Sequence, residues 1–457
     1  MPLPCRVART VRTFGSLTVD GLIETSKGPP YHGCVEGIGN EVKPIECIRD
    51  FSTMADISHR EQWYLSKQGH SPDGLSESAL RRRIQEHLHR LGFSRKDDGR
   101  LAPGVLSKQR IRDLHASSRE ARIRADRAFL ERVGTTALKS FASGKEIEPR
   151  SVAPQLVEVK ANTPEADVFR FATLLWSVPV SRGFGRRMRF LVRDRHNGKL
   201  IGVFALGDPV FNLSARDEWI GWSAKDREQR LIYVMDAYVV GAVPPYSQLI
   251  GGKLVAALMR STEVRELYKR KYHGQVSVIA NIAKRPRLVL ITTTSALGRS
   301  SIYNRLVIPG TLQCTRVGST RGFGHFHLDG EIFDLLRDYL RDKGHPYVSA
   351  HRFGQGPNWR MRVVRAALDD LGLWSADLLK HGVEREVYAM PLADNWCKVL
   401  LGHNTRIRYR TLSSGEIAEY CLKRWIIPRS ERDGRFQQFA PSSLMHALMN
   451  GGPPSSW

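Results

Sequence analysis

Long apolar runs are missing from this sequence. No stretch approaches the roughly 18 consecutive apolar residues that a helix needs to cross a bilayer, so a membrane-spanning helix is excluded. Cysteine is scarce and dispersed: Cys5, Cys34, Cys47, Cys314, Cys397 and Cys421 include no Cys-x-x-Cys pair that would offer two thiolates to one metal, and they read as reduced, mostly structural thiols. Arg6, Arg9 and Arg12 are followed by no apolar segment of signal-peptide type, and a cytoplasmic location is expected. A P-loop, a His-Glu-x-x-His helix and a Gly-x-Ser-x-Gly elbow are also absent, and the carboxylates are too scattered to nominate a nuclease set.

Negative charge is the other shortage. Asp and Glu number 46 against 70 Lys and Arg, a formal charge of +24 over 457 residues. Such an excess points to a polyanionic partner, because basic side chains gain affinity by releasing counterions condensed on phosphates. Nucleic acid is the first expectation, DNA ahead of RNA; an anionic membrane surface or plain solvated charge is the bland alternative. With 41% hydrophobic and 25% charged residues the chain has a globular composition, and its length suits about two to four domains.

Four regions follow from the patterning. Residues 1–70, punctuated by Gly28-Pro29-Pro30, Gly33, Gly37 and Gly39, read as a loop-rich arm. Residues 71–150 read as a basic helical region for nucleic acid. There Ser76 caps a helix carrying Leu80, Ile84, Leu88 and Leu91, Gly92 stops it, and a second helix runs from Leu106 to Val133. Fifteen Lys/Arg against seven Asp/Glu lie between Leu80 and Val133, with Arg81, Arg82 and Arg83 together on the first helix. Residues 151–400 read as an α/β core, and residues 401–457 as a basic tail, helical from Arg406 to Arg432.

Within the core, Met188–Arg193 and Leu200–Leu206 flank the tight turn His196-Asn197-Gly198 as a hairpin. A strand over Leu231–Val240 precedes Pro244-Pro245 and a helix from Gln248 to Tyr272. A strand over Arg287–Thr293 then leads to the segment Ser301-Ile-Tyr-Asn304. A strand feeding a glycine-bearing helix start offers outward-pointing amides and the positive end of a helix dipole to a phosphate. Gln248, Gly251 and Gly252 mark that start, although the glycines serve equally for helix–sheet packing. Asp236 on the strand is a candidate base if burial raises its pKa, or else a partner of a nearby arginine. Tyr303 is a candidate acid, or else an ordinary core tyrosine.

This layout resembles the acyl-CoA-dependent N-acyltransferase (GNAT) superfamily, in which a Gln/Arg-x-x-Gly-x-Gly/Ala turn cradles the pantetheine pyrophosphate and a later tyrosine protonates the departing thiolate. The resemblance implies a GNAT-like mixed-sheet core, a CoA-type acyl donor at Gln248, Gly251 and Gly252, and Asp236 with Tyr303 as catalytic pair. Lys253 stands where the turn's final Gly/Ala is expected. A closer resemblance spans about residues 75–400. The runs Leu174-Leu-Trp-Ser177, Gly183-Phe-Gly185, Leu200-Ile-Gly202 and Arg216-Asp-Glu-Trp-Ile-Gly-Trp222, with Arg230, are similar to the family typified by the A component of the Druantia anti-phage defence system. That resemblance implies defence or mobile-element biology and hence nucleic acid, with protein effectors of a defence system as candidate partners.

Three loops pair arginine with an aromatic ring: Ser181-Arg-Gly-Phe-Gly-Arg-Arg187, Thr320-Arg-Gly-Phe-Gly-His325 and His351-Arg-Phe-Gly-Gln-Gly356. Arg182, Arg186, Arg187, Arg321 and Arg352 become candidates for phosphate contact beside a stacked base; the same tripeptides also serve as hairpin turns. Trp219 and Trp222 line a pocket or pack a core. His325, His327 and Asp329 share a face if they lie on a strand, as a weak metal set or an ordinary polar face; no metal is expected. Two functions therefore stand open: acyl transfer to a nucleobase or amine, and a catalytically inert nucleic-acid sensor that recruits effectors.

Overall fold

Leu200–Gly207 is apolar throughout, and a strand of that kind needs cover on both faces. Every one of its residues is buried. The computed structural model describes residues 76–95, 101–104, 106–181, 185–275, 286–349, 359–403 and 405–449. Its central element is a seven-stranded mixed sheet: β1 (Pro154–Glu158), β2 (Arg187–Asp194), β3 (Leu200–Gly207), β4 (Val234–Ala242), β5 (Leu290–Thr294), β6 (Thr315–Ser319) and β7 (Glu386–Pro391), in the order β1-β2-β3-β4-β5-β7-β6. All neighbours are antiparallel except β4 and β5, which run parallel. A parallel pair needs a crossover, which α1 (Gly251–Leu258) and α2 (Thr262–Tyr272) supply.

Side chains alternate across a strand, and this parity sets the layers. Met235, Ala237, Ile291 and Tyr388 share one core with Leu254 and Val255 of α1 and Tyr268 of α2. On the opposite face Leu191, Val203 and Val239 pack beneath Phe129 and Phe171, while Val234, Leu290 and Ala389 meet Ile220, Trp222 and Leu400. A fourth cluster, away from the sheet, joins Leu80, Ile84 and Leu88 to the helices Glu331–Asp342 and Trp359–Asp370, which lie between β6 and β7 in the chain.

The expected mixed α/β architecture is present, with several boundaries moved. The helix expected over Leu106–Val133 is three helices, Lys108–Leu114, Ala116–Ala125 and Arg127–Leu138. The helix expected from Gln248 to Tyr272 breaks at Ser261, which has extended backbone between α1 and α2. The tail expected to be helical from Arg406 is not helical before Ser414; Ser413 caps the helix there through a reciprocal bond with Glu416. Cys314 and Cys421 are buried free thiols, as expected for two of the six cysteines, while Cys5, Cys34 and Cys47 lie outside the described residues. Among the described residues no helix is long and apolar enough to cross a membrane.

Candidate functional site

The turn that opens α1 is built from its own hydrogen bonds. The amides of Ser247, Gln248, Leu249, Ile250 and Gly251 donate to the carbonyls of Val243, Pro245, Tyr246, Ser247 and Tyr246, and the Lys253 amide donates to Ile250. Ile250 adopts φ 61°, a left-handed conformation that a β-branched residue avoids, to make this fit. A Cβ at Gly251 would lie 2.6 Å from the Tyr246 carbonyl oxygen, and one at Gly252 would lie 3.3 Å from Ile302. The glycines thus permit close packing of turn, strand and neighbouring loop. Of the amides expected to receive a diphosphate, those of Gln248 and Gly251 are already engaged.

Asp236 and Tyr303 approach the β4–β5 pair from opposite faces. Asp236 is opposite Thr292 in register, and the Thr292 hydroxyl donates to its carboxylate at 2.8 Å. Burial raises the Asp236 carboxyl to about 6, against the lowering effects of that hydrogen bond and of Arg216. The next residue, Thr293, points the other way and donates to the Ala237 carbonyl at 2.9 Å, with the Tyr303 hydroxyl 3.5 Å away. Tyr303 is buried 5.2 Å from the Tyr388 ring, and burial pushes its phenol up.

Arg216 is fully buried. It pairs with Asp217 and donates to the carbonyls of Val210 and Phe211, both at 2.9 Å, so it holds the loop after β3 in place. Nearby, Trp222 donates its indole N–H to Leu400 at 2.6 Å, and Trp219 stacks on Trp396 at 4.2 Å; both tryptophans belong to core packing.

A cleft of about 500 Å³ lies beside the start of α1, lined by Lys253, Ser301, Asn304, Arg305, Val307, Tyr420, Arg424 and Trp425. Lys253 Nζ donates to the carbonyls of Ile302 at 3.1 Å and Asn304 at 2.9 Å, and sits 5.4 Å from the Trp425 ring centre. Burial holds its ammonium below the ordinary lysine range, and Arg305 adds repulsion. Tyr303 lies within the loop that forms one wall, yet its ring turns inward to the sheet.

The candidate arginines divide between internal and outward roles. Arg186 is committed inside the molecule: its guanidinium pairs with Asp208 at 2.5 Å, donates to the carbonyls of Ile232 at 2.9 Å, Leu231 at 3.1 Å and Val234 at 3.3 Å, and meets the Tyr268 hydroxyl. Arg81 donates to the Leu371 carbonyl at 2.6 Å and pairs with Glu77, and Arg83 pairs with Glu331; Arg82 lies 3.7 Å from Glu86 at the surface. Arg187 opens β2 at the surface. Arg321 is exposed, with Phe323 45% exposed two residues on, so this loop does present a cation and a ring to solvent. Arg182 and Arg352 lie outside the described residues.

His325, His327 and Asp329 do not share a strand face, because Phe326–Leu328 forms a single 3-10 turn and His327 is buried against the Leu378 carbonyl at 2.6 Å. No cluster that could hold a metal occurs among the described residues.

The basic tail expected from Arg406 begins as a non-helical edge, an arrangement the helical expectation missed. Arg406, Arg408 and Arg410 are exposed at alternate positions of a non-helical segment, with Ile407 and Tyr409 packed between them against the core. Arg410 lies 3.4 Å from Asp394, whereas Arg406 and Arg408 have no carboxylate partner among the described residues. The polar–apolar alternation was the available signal.

The sequence profile of the family described as Druantia protein DruA matches residues 105–402. Druantia protein DruA of Escherichia coli (strain UMEA 4076-1) is 47% identical over 385 residues, which cover 83% of this chain and 95% of that protein. The matched span takes in the sheet, the Arg216 clamp and the start of α1, and the chain belongs to the Druantia DruA family.

Proposed function

We propose that this protein acts in anti-phage defence as a nucleic-acid-binding component that signals to protein effectors of the same system. Family membership implies the defence role. The observation that carries the binding role is the arginine edge Arg406, Arg408 and Arg410. Alternate residues of an extended chain project to the same side with Cα atoms about 6.6 Å apart, and two of these arginines have no carboxylate to satisfy them among the described residues. Set in a chain of net charge +24, such an edge favours a run of phosphates.

Acyl transfer is the less supported reading. The amides of Gln248 and Gly251 are spent within the turn, which weighs against a CoA diphosphate there. Asp236 and Tyr303 also face opposite sides of the sheet.

The test is a binding titration of the full chain with labelled duplex DNA, single-stranded DNA and RNA over a range of salt. Arg406→Gln with Arg408→Gln should flatten the dependence of log K on log salt by about one unit per lost phosphate contact. An unchanged slope overturns the role of this edge. A thermal shift with CoA, absent under this reading, would restore acyl transfer.

A further inference from the structure

The cleft beside α1 combines three features that no single structural role accounts for. Its cations are uncompensated: no carboxylate is among the lining residues, and neither Arg305 nor Arg424 has an ion-pair or hydrogen-bond partner among the described residues. It also has an aromatic wall, where Trp425 and Tyr420 meet edge to face at 5.9 Å and 85°.

The third feature is departure from regular backbone at two of its walls. Pro428 has no N–H to give the Arg424 carbonyl, and its ring crowds that carbonyl. The helix widens into a π-helical turn over Leu422–Ile426, with the Ile427 amide reaching the Leu422 carbonyl. That turn carries Arg424 and Trp425 into the cleft, and such turns recur at functional sites. Across from it Arg305 adopts φ 62°, a left-handed conformation unusual for a residue with a side chain.

A bare anion would need only the cations, and an apolar ligand only the rings. A duplex keeps its base faces stacked and is too wide for about 500 Å³, a volume typical of small-ligand sites. We infer that the cleft holds one nucleotide, its phosphate between Arg305, Arg424 and Lys253 and its unpaired base against Trp425. The inference rests on the nucleic-acid reading above and adds to it a second contact, separate from the Arg406 edge. The same chemistry belongs to a free mononucleotide and to one nucleotide of a single strand.

Arg305→Gln with Arg424→Gln removes two exposed cations that have no structural partner, so folding should survive. Short labelled oligothymidylate and a labelled mononucleotide are titrated against the full-length chain, with AMP and inorganic phosphate as competitors. The double variant should bind at least one of these probes about tenfold more weakly while keeping duplex affinity, and Arg406→Gln with Arg408→Gln should do the converse. Trp425→Leu should cost a similar factor, the size of one lost base stack; if it fails to fold, the arginine pair carries the test.

Oligothymidylate bound more tightly than the mononucleotide assigns a strand, and the reverse assigns a free nucleotide. Unchanged affinity for both probes in the double variant overturns the inference, as does phosphate competing as well as AMP. Wild-type chain that binds no duplex and no strand refutes the nucleic-acid reading instead, and the mononucleotide arm then decides the cleft alone.

Discussion

Replacing Asp236 by Asn should stabilise the protein at neutral pH. In the folded chain its carboxyl is raised from 3.8 to about 6, chiefly by burial. A carboxyl whose folded value lies above its unfolded value is protonated in the native state over a window where the unfolded chain has already ionised. Stability therefore falls as pH rises from about 4 to about 6, and the full cost is present above that window. The gap corresponds to roughly 3 kcal/mol, and to about 2 kcal/mol once partial solvent contact is allowed for. Asn keeps an oxygen to accept from the Thr292 hydroxyl, so the substitution removes the charge and little else. Urea denaturation of both proteins between pH 4 and 7.5 should show Asp236→Asn more stable by about 2 kcal/mol at pH 7.5, with the two converging near pH 4. A variant less stable at pH 7.5 would mean that attraction to Arg216 outweighs burial, and the argument from desolvation would fail.

Three further outcomes are expected. Arg186→Gln removes the side-chain donor to the carbonyls of Leu231, Ile232 and Val234 and to the exposed Asp208, and should cost about 1–3 kcal/mol in denaturation, while the salt dependence of DNA binding stays that of the wild type; a flattened slope with unchanged stability would show that Arg186 contacts phosphate after all. Gly251→Ala forces a methyl to within 2.6 Å of the Tyr246 carbonyl and should cost about 1–3 kcal/mol, read as a lowered Tm; a neutral result would mean the turn can open. Tyr303→Phe removes only a 3.5 Å contact to Thr293 and should change stability by less than about 1 kcal/mol and leave phage protection intact; lost protection in a folded variant would reinstate the phenol as a catalytic group.

What the sequence disclosed depended on how far apart the cooperating residues lie. The hairpin of β2 and β3 was legible because Asn197-Gly198 and the flanking apolar runs are adjacent, and its strands pair nearly as expected, apart from a bulge at Val192/Arg193. The first basic helix was legible for the same reason: Ser76, the Leu80–Ile84–Leu88 spacing and Gly92 act within five turns, and those three apolar residues are buried. Arg186 looked like a surface cation because its acceptors Leu231, Ile232 and Val234 reach it only through the β3–β4 pairing, about 45 residues along the chain. The cleft was hidden likewise, since its walls come from residues 253, 301–307 and 420–425.

The pairing of Asp236 with Tyr303 failed on a subtler point. Both residues do come to the β4–β5 pair, as the order of motifs implied, but Thr292 and Thr293 are consecutive on β5 and must point to opposite faces. One threonine holds the carboxylate and the other faces the phenol, so the backbone of the sheet stands between acid and base. A substrate would have to touch both through that layer. Outward-facing cations without a partner among the described residues, Arg305, Arg424, Arg406 and Arg408 among them, lie elsewhere, as the proposed binding role requires.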